Sequence, residues 1–410
     1  MLRICWGLLG DCMNKEGRRP IPAFIDLAAQ RQKIGDGIEQ AISSVLKSSQ
    51  FVLGPEVAEL ERQLAEFCGA KHVVSCANGT DALLLVLMAE GIGPGDAVFV
   101  PAFTFVATAE VVVLTGATLV FVDVQRDSFN LDASSLNAAI GEAESLGLKP
   151  RCVISVDLFG QPADYHAIRQ IADANKLLVL ADAAQSFGAT LNGRRVGTLA
   201  DYTATSFYPS KPLGCYGDGG AIFTDDSAKA KLLTALRCHG RYPDGTECGQ
   251  VGLNSRLDTF QAAILLEKLA IFPQEIVARQ RSAKRYAEGF GAMVQTPKLM
   301  TGASSVWAQY TIVTERRDEL AKACREVGVP TAIHYASPLH VLPAYREFPT
   351  APGGLPNAVW LAERVMSLPM HGYLADEAQD LVIRTVSGAF RSPKAPGAHV
   401  GLASAPSAAE

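Results

Sequence analysis

Between residues 72 and 237, short apolar runs alternate with amphipathic stretches, and this alternation restricts the fold more than any other property of the chain. The runs at 97–100, 119–124, 152–156, 177–182 and 202–207 are nearly unbroken in apolar residues, as strands buried on both faces must be. Between them the spacing predicts helices over 107–114, 134–144, 165–174 and 227–237. Strands that alternate with helices give a mostly parallel sheet covered on both sides, an α/β fold. Residues 221–224 follow a tight glycine loop in place of a helix, and are expected to form the one antiparallel strand.

Upstream, 26–47 reads as one helix with Leu27, Ile34, Ile38, Ile42 and Val45 on one face. Gly54-Pro55 opens a second, striped by Val57, Leu60, Leu64 and Phe67 and ended by Gly69. A strand over 72–75 leads through Asn78-Gly79-Thr80-Asp81 into a helix over 82–90. Downstream, a long helix over 257–285 leaves the sheet. A strand over 306–313, a helix over 319–327 and a helix containing 382–390, capped by Asp376, then make a smaller α+β unit. The expected division is an N-terminal extension (1–20), a large α/β domain (21–288), a small C-terminal domain (289–390) and a disordered tail rich in Ala, Pro, Ser and Gly (391–410). Met13 is a candidate natural start, since NKEGRRPIPAFIDL reads like the beginning of a soluble enzyme.

Composition narrows the function classes. With 48% hydrophobic and 19% charged residues the chain can bury a large core. Its net charge of −5 is spread over both signs without a basic block, so neither nucleic acid nor a membrane surface is an expected partner. No apolar run is long enough to cross a bilayer. The nine cysteines are odd in number and lack a C-x-x-C pair, and the seven histidines lack ligand spacing. Reduced thiols in a cytoplasm are expected, with no disulfide framework and no metal site.

In an open parallel sheet, ligands sit outside the carboxyl ends of the strands. Three polar signals fall there. Asn78-Gly79-Thr80 precedes a helix and is either an ordinary cap or a phosphate site, since glycine admits a ligand to the free N–H groups of a helix start. Asp182 ends LLVLAD and is either an N-cap or the buried partner of a cation such as a pyridinium. Lys211 lies in YTATSFYPSKPLGCYGDGGAIFT, five residues after Ser206 and with no charged neighbour before Asp218. It is either a solvated loop lysine or an amine placed for Schiff-base chemistry. Phosphate, pyridinium and aldehyde are the three handles of pyridoxal phosphate, and one cofactor can meet all three residues in this order. Phe103 and Phe105 are candidates to stack on its ring; core packing is the alternative for each and the preferred one for Phe103.

The stretches GPEVAELE, ANGTDAL, GIGPGDAVFVPAFTFVATAE, LADAAQSFGA, SFYPSKPLGCYGDGGA, GLNSRLDTFQAAIL and SLPMHGYL resemble the nucleotide-sugar aminotransferases of the DegT/DnrJ/StrS type, a branch of the fold-type I pyridoxal 5'-phosphate enzymes. The resemblance covers residues 21–390. It implies a seven-stranded, mostly parallel sheet in the large domain. By the same resemblance Lys211 is the Schiff-base lysine and later moves the proton, and Asp182 pairs with the ring nitrogen. Gln185 lies near the ring, and Phe105 takes the stacking position, where other members carry a different aromatic residue. Gly79, Thr80 and Ser206 hold the phosphate. Asn254 resembles the residue that reaches the phosphate from the partner subunit, which implies a homodimer with shared active sites. Arg256 resembles a substrate-contacting arginine, and His334 and Tyr335 match a segment near the sugar. The implied substrates are L-glutamate as amino donor and a UDP-linked keto-sugar as acceptor. A dehydratase branch carries histidine in place of the lysine, and Lys211 excludes it.

The blocks IDLAAQRQ, FVLGPEVAELE and RLDTFQAAILLEKLAIFP are most similar to enzymes that aminate carbon 3 of a UDP-linked 2-acetamido-3-keto uronic acid for surface polysaccharide such as the O-antigen of lipopolysaccharide. Amination at carbon 4 of a UDP-4-keto sugar is the second reading. A non-catalytic, cofactor-binding regulator is the third, and the complete set of Lys211, Asp182 and Ser206 speaks against it.

Overall fold

The computed structural model describes residues 21–242 and 247–391. The expected N-terminal extension and residues 392–410 of the expected tail lie outside the described residues, while Arg391, expected to begin that tail, ends a helix. In chain order the first helices are α1 (Leu27–Ile34), α2 (Gly37–Ser48) and α3 (Pro55–Cys68). The alternating part follows: β1 (His72–Cys76), α4 (Gly79–Ala89), β2 (Asp96–Pro101), α5 (Ala107–Leu114), β3 (Thr118–Val122), α6 (Ala133–Ser145), β4 (Lys149–Val156), α7 (Tyr165–Asn175) and β5 (Leu178–Asp182). A small hairpin, β6 (Thr190–Leu191) and β7 (Arg194–Arg195), precedes β8 (Tyr202–Ser206), β9 (Gly220–Thr224) and α8 (Ser227–Leu236). The chain ends with α9 (Thr259–Phe290), β10 (Tyr310–Val313), α10 (Arg317–Glu326), α11 (Pro356–Ala362), β11 (Val365–Leu368) and α12 (Asp376–Arg391).

Among the described residues, seven strands form one sheet in the order β1-β9-β8-β5-β4-β2-β3. β9 runs against both of its neighbours, β1 and β8, as expected of residues 221–224. The pairings of β8, β5, β4, β2 and β3 are all parallel, so their carboxyl ends share one edge, and β1 points the same way. Helices cover both faces, and β2 is buried along its whole length. Phe99, Phe121, Phe207 and Phe223 lie fully buried in its core, each worth about 1.5–3 kcal/mol of burial.

Three expectations need correction. The helix expected over 26–47 is two helices, because Gly35 takes a left-handed φ of 70° and ends α1. The strand expected over 306–313 begins only at Tyr310. Before it, Val306 and Gln309 donate their N–H groups to Gly160 and Phe159, so those residues pair with the turn after β4 and not with a strand. Asp376 is the first residue of α12, not a cap in front of it.

The second sheet is the antiparallel pair β10–β11, with Thr311 opposite Ser367. Helix α9 links it to the large sheet. Apolar residues Leu265, Leu269, Phe272 and Ile276 pack below the large sheet, and Ala283, Tyr286 and Phe290 pack with Tyr310 and Ile312. The same helix buries Lys268, Glu275, Arg279 and Ser282. Burying such groups is costly unless they are hydrogen-bonded. Lys268 Nζ donates to the Gly214 carbonyl at 2.6 Å, and Arg279 donates to the carbonyls of Trp307 at 3.0 Å and Met370 at 3.4 Å. Among the described residues no helix is long and apolar enough to cross a membrane.

Candidate active site

Asp182 closes β5 and is 7% exposed. The Thr108 hydroxyl on α5 donates to Oδ2 at 2.8 Å, and the Ala184 N–H donates to Oδ1 at 3.2 Å. Burial pushes the Asp182 pKa up, while Thr108, Ala184 and the Lys211 ammonium work against it. Lys211 follows β8, the neighbouring strand, and its pKa moves the other way: burial lowers it and the Asp182 charge opposes. Each group of this pair is the charge that faces the other.

The chain around Lys211 is held on several sides. Its N–H donates to the Tyr208 carbonyl at 2.8 Å, and the Cys215 N–H returns to the Phe207 carbonyl at 2.8 Å. Gln261 on α9 accepts from the Tyr216 N–H at 2.9 Å. Lys268, beside it on the same helix, binds the Gly214 carbonyl and lies 4.2 Å from the centroid of the Tyr216 ring. Gly214 must be glycine here, since a Cβ would come within 2.6 Å of the Tyr208 carbonyl oxygen.

The start of α4 lies against the end of β8. Asn78 caps the helix by accepting from the Asp81 N–H at 2.8 Å, so the cap reading of this triplet holds. A Cβ on Gly79 would come 2.7 Å from the Ser206 Cβ, and one on Gly220 would come 2.4 Å from the Asn78 carbonyl oxygen. Bare backbone, free helix-start N–H groups of Gly79 and Thr80, and the Ser206 hydroxyl therefore converge. This is a donor set for a phosphate. With a buried carboxylate for a ring nitrogen and a half-buried amine for an aldehyde, these residues fit pyridoxal phosphate.

Gln185 accepts from the Phe159 N–H at 2.7 Å and donates to the Tyr335 hydroxyl at 3.3 Å. The Tyr335 ring meets Phe103 edge-on at 6.1 Å and Phe105 at 6.4 Å between centroids. Phe103 is core, whereas Phe105 is 52% exposed. His334 places Nδ1 2.9 Å from the Ser367 hydroxyl. Burial, aided by the Lys211 charge, pulls its pKa down to about 4, so the ring is neutral near pH 7.

Asn254 and Arg256 stand apart. Ser255 between them accepts from the Ala77 N–H at 3.2 Å, so the loop passes below the start of α4. Asn254 is exposed. Arg256 lines a cavity of about 450 Å³ with Arg237, Arg241, His239, Tyr242 and Glu61. Among the described residues Arg256 has no ion pair with Asp258, and no hydrogen bond or ring contact joins either residue to Lys211 or Asp182.

Sequence reasoning missed Thr108, Ser367 and Asp157. Asp157 follows β4 as Asp182 ends β5, and that position was its signal. It is fully buried and accepts from Tyr165 at 2.8 Å, Ser186 at 2.7 Å and the Ala163 N–H at 2.8 Å; burial pushes its pKa up to about 7. A wider cleft of about 950 Å³ opens at the amino ends of β5 and β8, away from Lys211. Two ion pairs lie in it, Arg169 with Asp201 and Lys229 with Glu90.

Residues 32–387 match the model of the DegT/DnrJ/EryC1/StrS aminotransferase family. The chain is 48% identical over 352 residues to the UDP-2-acetamido-2-deoxy-3-oxo-D-glucuronate aminotransferase of Pseudomonas aeruginosa, covering 86% of this chain and 95% of that protein. It is 39% identical over 355 residues to the UDP-N-acetyl-3-dehydro-alpha-D-glucosamine 3-aminotransferase of Acidithiobacillus ferrooxidans, covering 86% and 94%. A crystal structure of a DegT DnrJ EryC1 StrS aminotransferase from Brucella abortus superimposes with a TM-score of 0.89 at 49% identity, covering 90% of this chain and all of that one.

Proposed function

The chain belongs to the DegT/DnrJ/EryC1/StrS aminotransferase family, and from that membership we propose that it transfers the amino group of L-glutamate to the 3-keto carbon of a UDP-linked 2-acetamido uronic acid. It is a nucleotide-sugar aminotransferase that works with pyridoxal 5'-phosphate. The bound cofactor supplies an aldehyde for amine exchange and a ring that takes up the electrons of a Cα–H bond.

The chain's residues supply the rest. Lys211, its ammonium disfavoured by burial, is the amine that takes and returns the proton at the reacting carbon. Asp182 would pair with the ring nitrogen, whose positive charge favours the ionised carboxylate, and would keep a proton there. Gly79, Thr80 and Ser206 would hold the phosphate, Phe105 would stack on the ring with Gln185 near it, and His334 and Tyr335 would lie near the sugar. Asn254 reaches the phosphate of a second copy in a homodimer with shared sites. Arg256 meets the uronate carboxylate there, and its lack of an ion pair among the described residues supports this reading. Residues 21–288 form the cofactor domain and 289–390 the small domain. The enzyme acts in the cytoplasm, on the way to surface polysaccharide.

The observation that carries the chemistry is the pairing of buried Asp182 at the end of β5 with half-buried Lys211 in the loop after neighbouring β8, each charge favouring the other. The choice of acceptor is supported by the two relatives, both named for carbon 3 of a UDP-linked sugar. A panel of UDP-keto-sugars incubated with L-glutamate, with 2-oxoglutarate as the readout, tests it. Preference for a 4-keto sugar would replace the carbon-3 assignment, and no turnover with any of them would favour a regulator.

A further inference from the structure

The strands β10 and β11 carry their side chains alternately on two faces. Tyr310, Ile312, Met366 and Leu368 join the apolar cluster around Tyr286 and Phe290. Val313 and Val365, on the other face, join the core of the large sheet. That second face also carries two hydroxyls, Thr311 and Ser367, paired directly across the sheet and fully buried. Their oxygens are 2.9 Å apart. The backbone of Ser367 also exchanges two hydrogen bonds with Ala332, at 2.8 and 3.1 Å. Two residues further on, His334 Nδ1 lies 2.9 Å from the Ser367 hydroxyl. A row of three side chains thus runs from the small sheet to the neighbourhood of Lys211.

The direction of hydrogen bonding along this row follows from counting donors. Among the described residues Thr311 Oγ1 has no other partner, and Ser367 Oγ has none beyond these two. If the ring proton sat on Nδ1, the row would hold three donors and two contacts. One buried hydrogen would then have no acceptor, which costs more than the hydrogen bond it replaces is worth. With Nδ1 bare, Thr311 donates to Ser367, Ser367 donates to Nδ1, and every donor is used. The ring is neutral, because burial and the Lys211 charge both oppose protonation. Its proton then sits on Nε2, which has no partner among the described residues but is not buried, so water or a ligand can accept from it.

We propose that Thr311 and Ser367 are positioning residues that lock His334 as the Nε2–H tautomer, and that this makes it an uncharged hydrogen-bond donor beside Lys211 for an oxygen of the acceptor sugar. The sugar part rests on the function proposed above; the tautomer does not. A fixed donor selects an acceptor that presents an oxygen at that point, and leaves the exchange with glutamate largely untouched.

The test uses the full chain with its cofactor, labelled with ¹⁵N-histidine, and His334→Gln identifies the His334 signals. Two-bond ¹⁵N–¹H spectra should show Nε2–H with Nδ1 a hydrogen-bonded acceptor, and in Ser367→Ala the Nδ1 resonance should move to that of an unbonded nitrogen. A proton on Nδ1 in the unmodified protein, or an Nδ1 resonance that ignores Ser367→Ala, overturns the proposal. In turnover, Thr311→Val should raise the KM for the UDP-sugar about tenfold and change the half-reaction with glutamate less than about twofold, while Thr311→Ser restores the KM. Equal losses in both halves, tracking a lower Tm, would mean a merely structural role and would also overturn it. An Nε2–H tautomer in a protein that aminates no UDP-sugar would refute the function above and leave the hydrogen-bond assignment standing.

Discussion

The Thr108 hydroxyl donates to the Asp182 carboxylate across 2.8 Å, from a helix that the chain builds three strands earlier. It is the shortest of the two hydrogen bonds that offset the burial of this carboxylate. Thr108→Val keeps the shape and removes the donor. A hydrogen bond to a charged group is worth about 1.5–3 kcal/mol, so cofactor affinity should fall roughly ten- to a hundredfold, read by titrating the protein with pyridoxal phosphate. Asp182→Ala should lose more, and Gln185→Ala less, since a neutral amide supplies no full charge to a ring nitrogen. Unchanged affinity in Thr108→Val would show that the Ala184 N–H alone suffices.

Lys211→Ala should abolish turnover and the visible absorbance that the cofactor-loaded protein owes to this amine. The fold should persist, because burial of the lysine's charge opposes folding. Absorbance and melting temperature on one sample separate the two effects. Normal turnover in this variant would remove Lys211 from the chemistry.

If Asn254 serves the site of a second copy, two dead proteins can rescue each other. Mixing Lys211→Ala with Asn254→Ala subunits should restore part of the activity, since one site of a mixed dimer would hold both native residues. Proven subunit exchange without recovery would count against shared sites.

Arg256→Lys keeps the charge and loses the planar fork that matches a carboxylate. The specificity constant for a UDP-linked uronate should drop roughly ten- to a hundredfold, with a smaller effect on the glutamate half-reaction. Equal losses with both substrates would leave Arg256 a general role. Equal use of a keto-sugar lacking the carboxylate would end the uronate assignment.

Acid should weaken the fold through His371. Burial, with the Arg279 charge beside it, holds this imidazole down to about 4, against an ordinary value near 6.5. Between those values the unfolded chain binds a proton that the folded one refuses, so stability rises with pH across the window and is lost as pH falls through it. Asp157, pushed up to about 7, acts the other way: it is protonated in the fold where the unfolded carboxylate is already ionised. The comparison that isolates His371 is therefore wild type against His371→Asn. Urea unfolding at pH 4.5 and 7 should show a pH dependence smaller in the variant by up to about 3 kcal/mol. Identical dependence in both would assign the acid sensitivity elsewhere.

The alternating core was legible because a buried parallel strand leaves an unbroken apolar run, and α5 was read to its last residue. The break at Gly35 was not, since Ile34 and Ile38 keep their stripe across it and a positive φ leaves no mark on periodicity. Residues 306–308 look like a strand because they are apolar, but the partners of this stretch, Phe159 and Gly160, are settled by tertiary packing. Lys211 and Asp182 stood out as lone polar groups at the ends of apolar runs. Thr108, Thr311 and Ser367 did not, because one hydroxyl inside an apolar stretch reads as packing until its partner is known.

Helix α9 binds the strap after Lys211 through Lys268 at one point and the backbone of Met370 through Arg279 three turns on. Adding one residue between them would turn the second contact by about 100° and move it by about 1.5 Å relative to the first. The stretch from 268 to 279 is therefore a ruler of fixed count. Its residues can be exchanged, but their number cannot change, and lineages of this enzyme should gain and lose residues in loops while this interval stays constant.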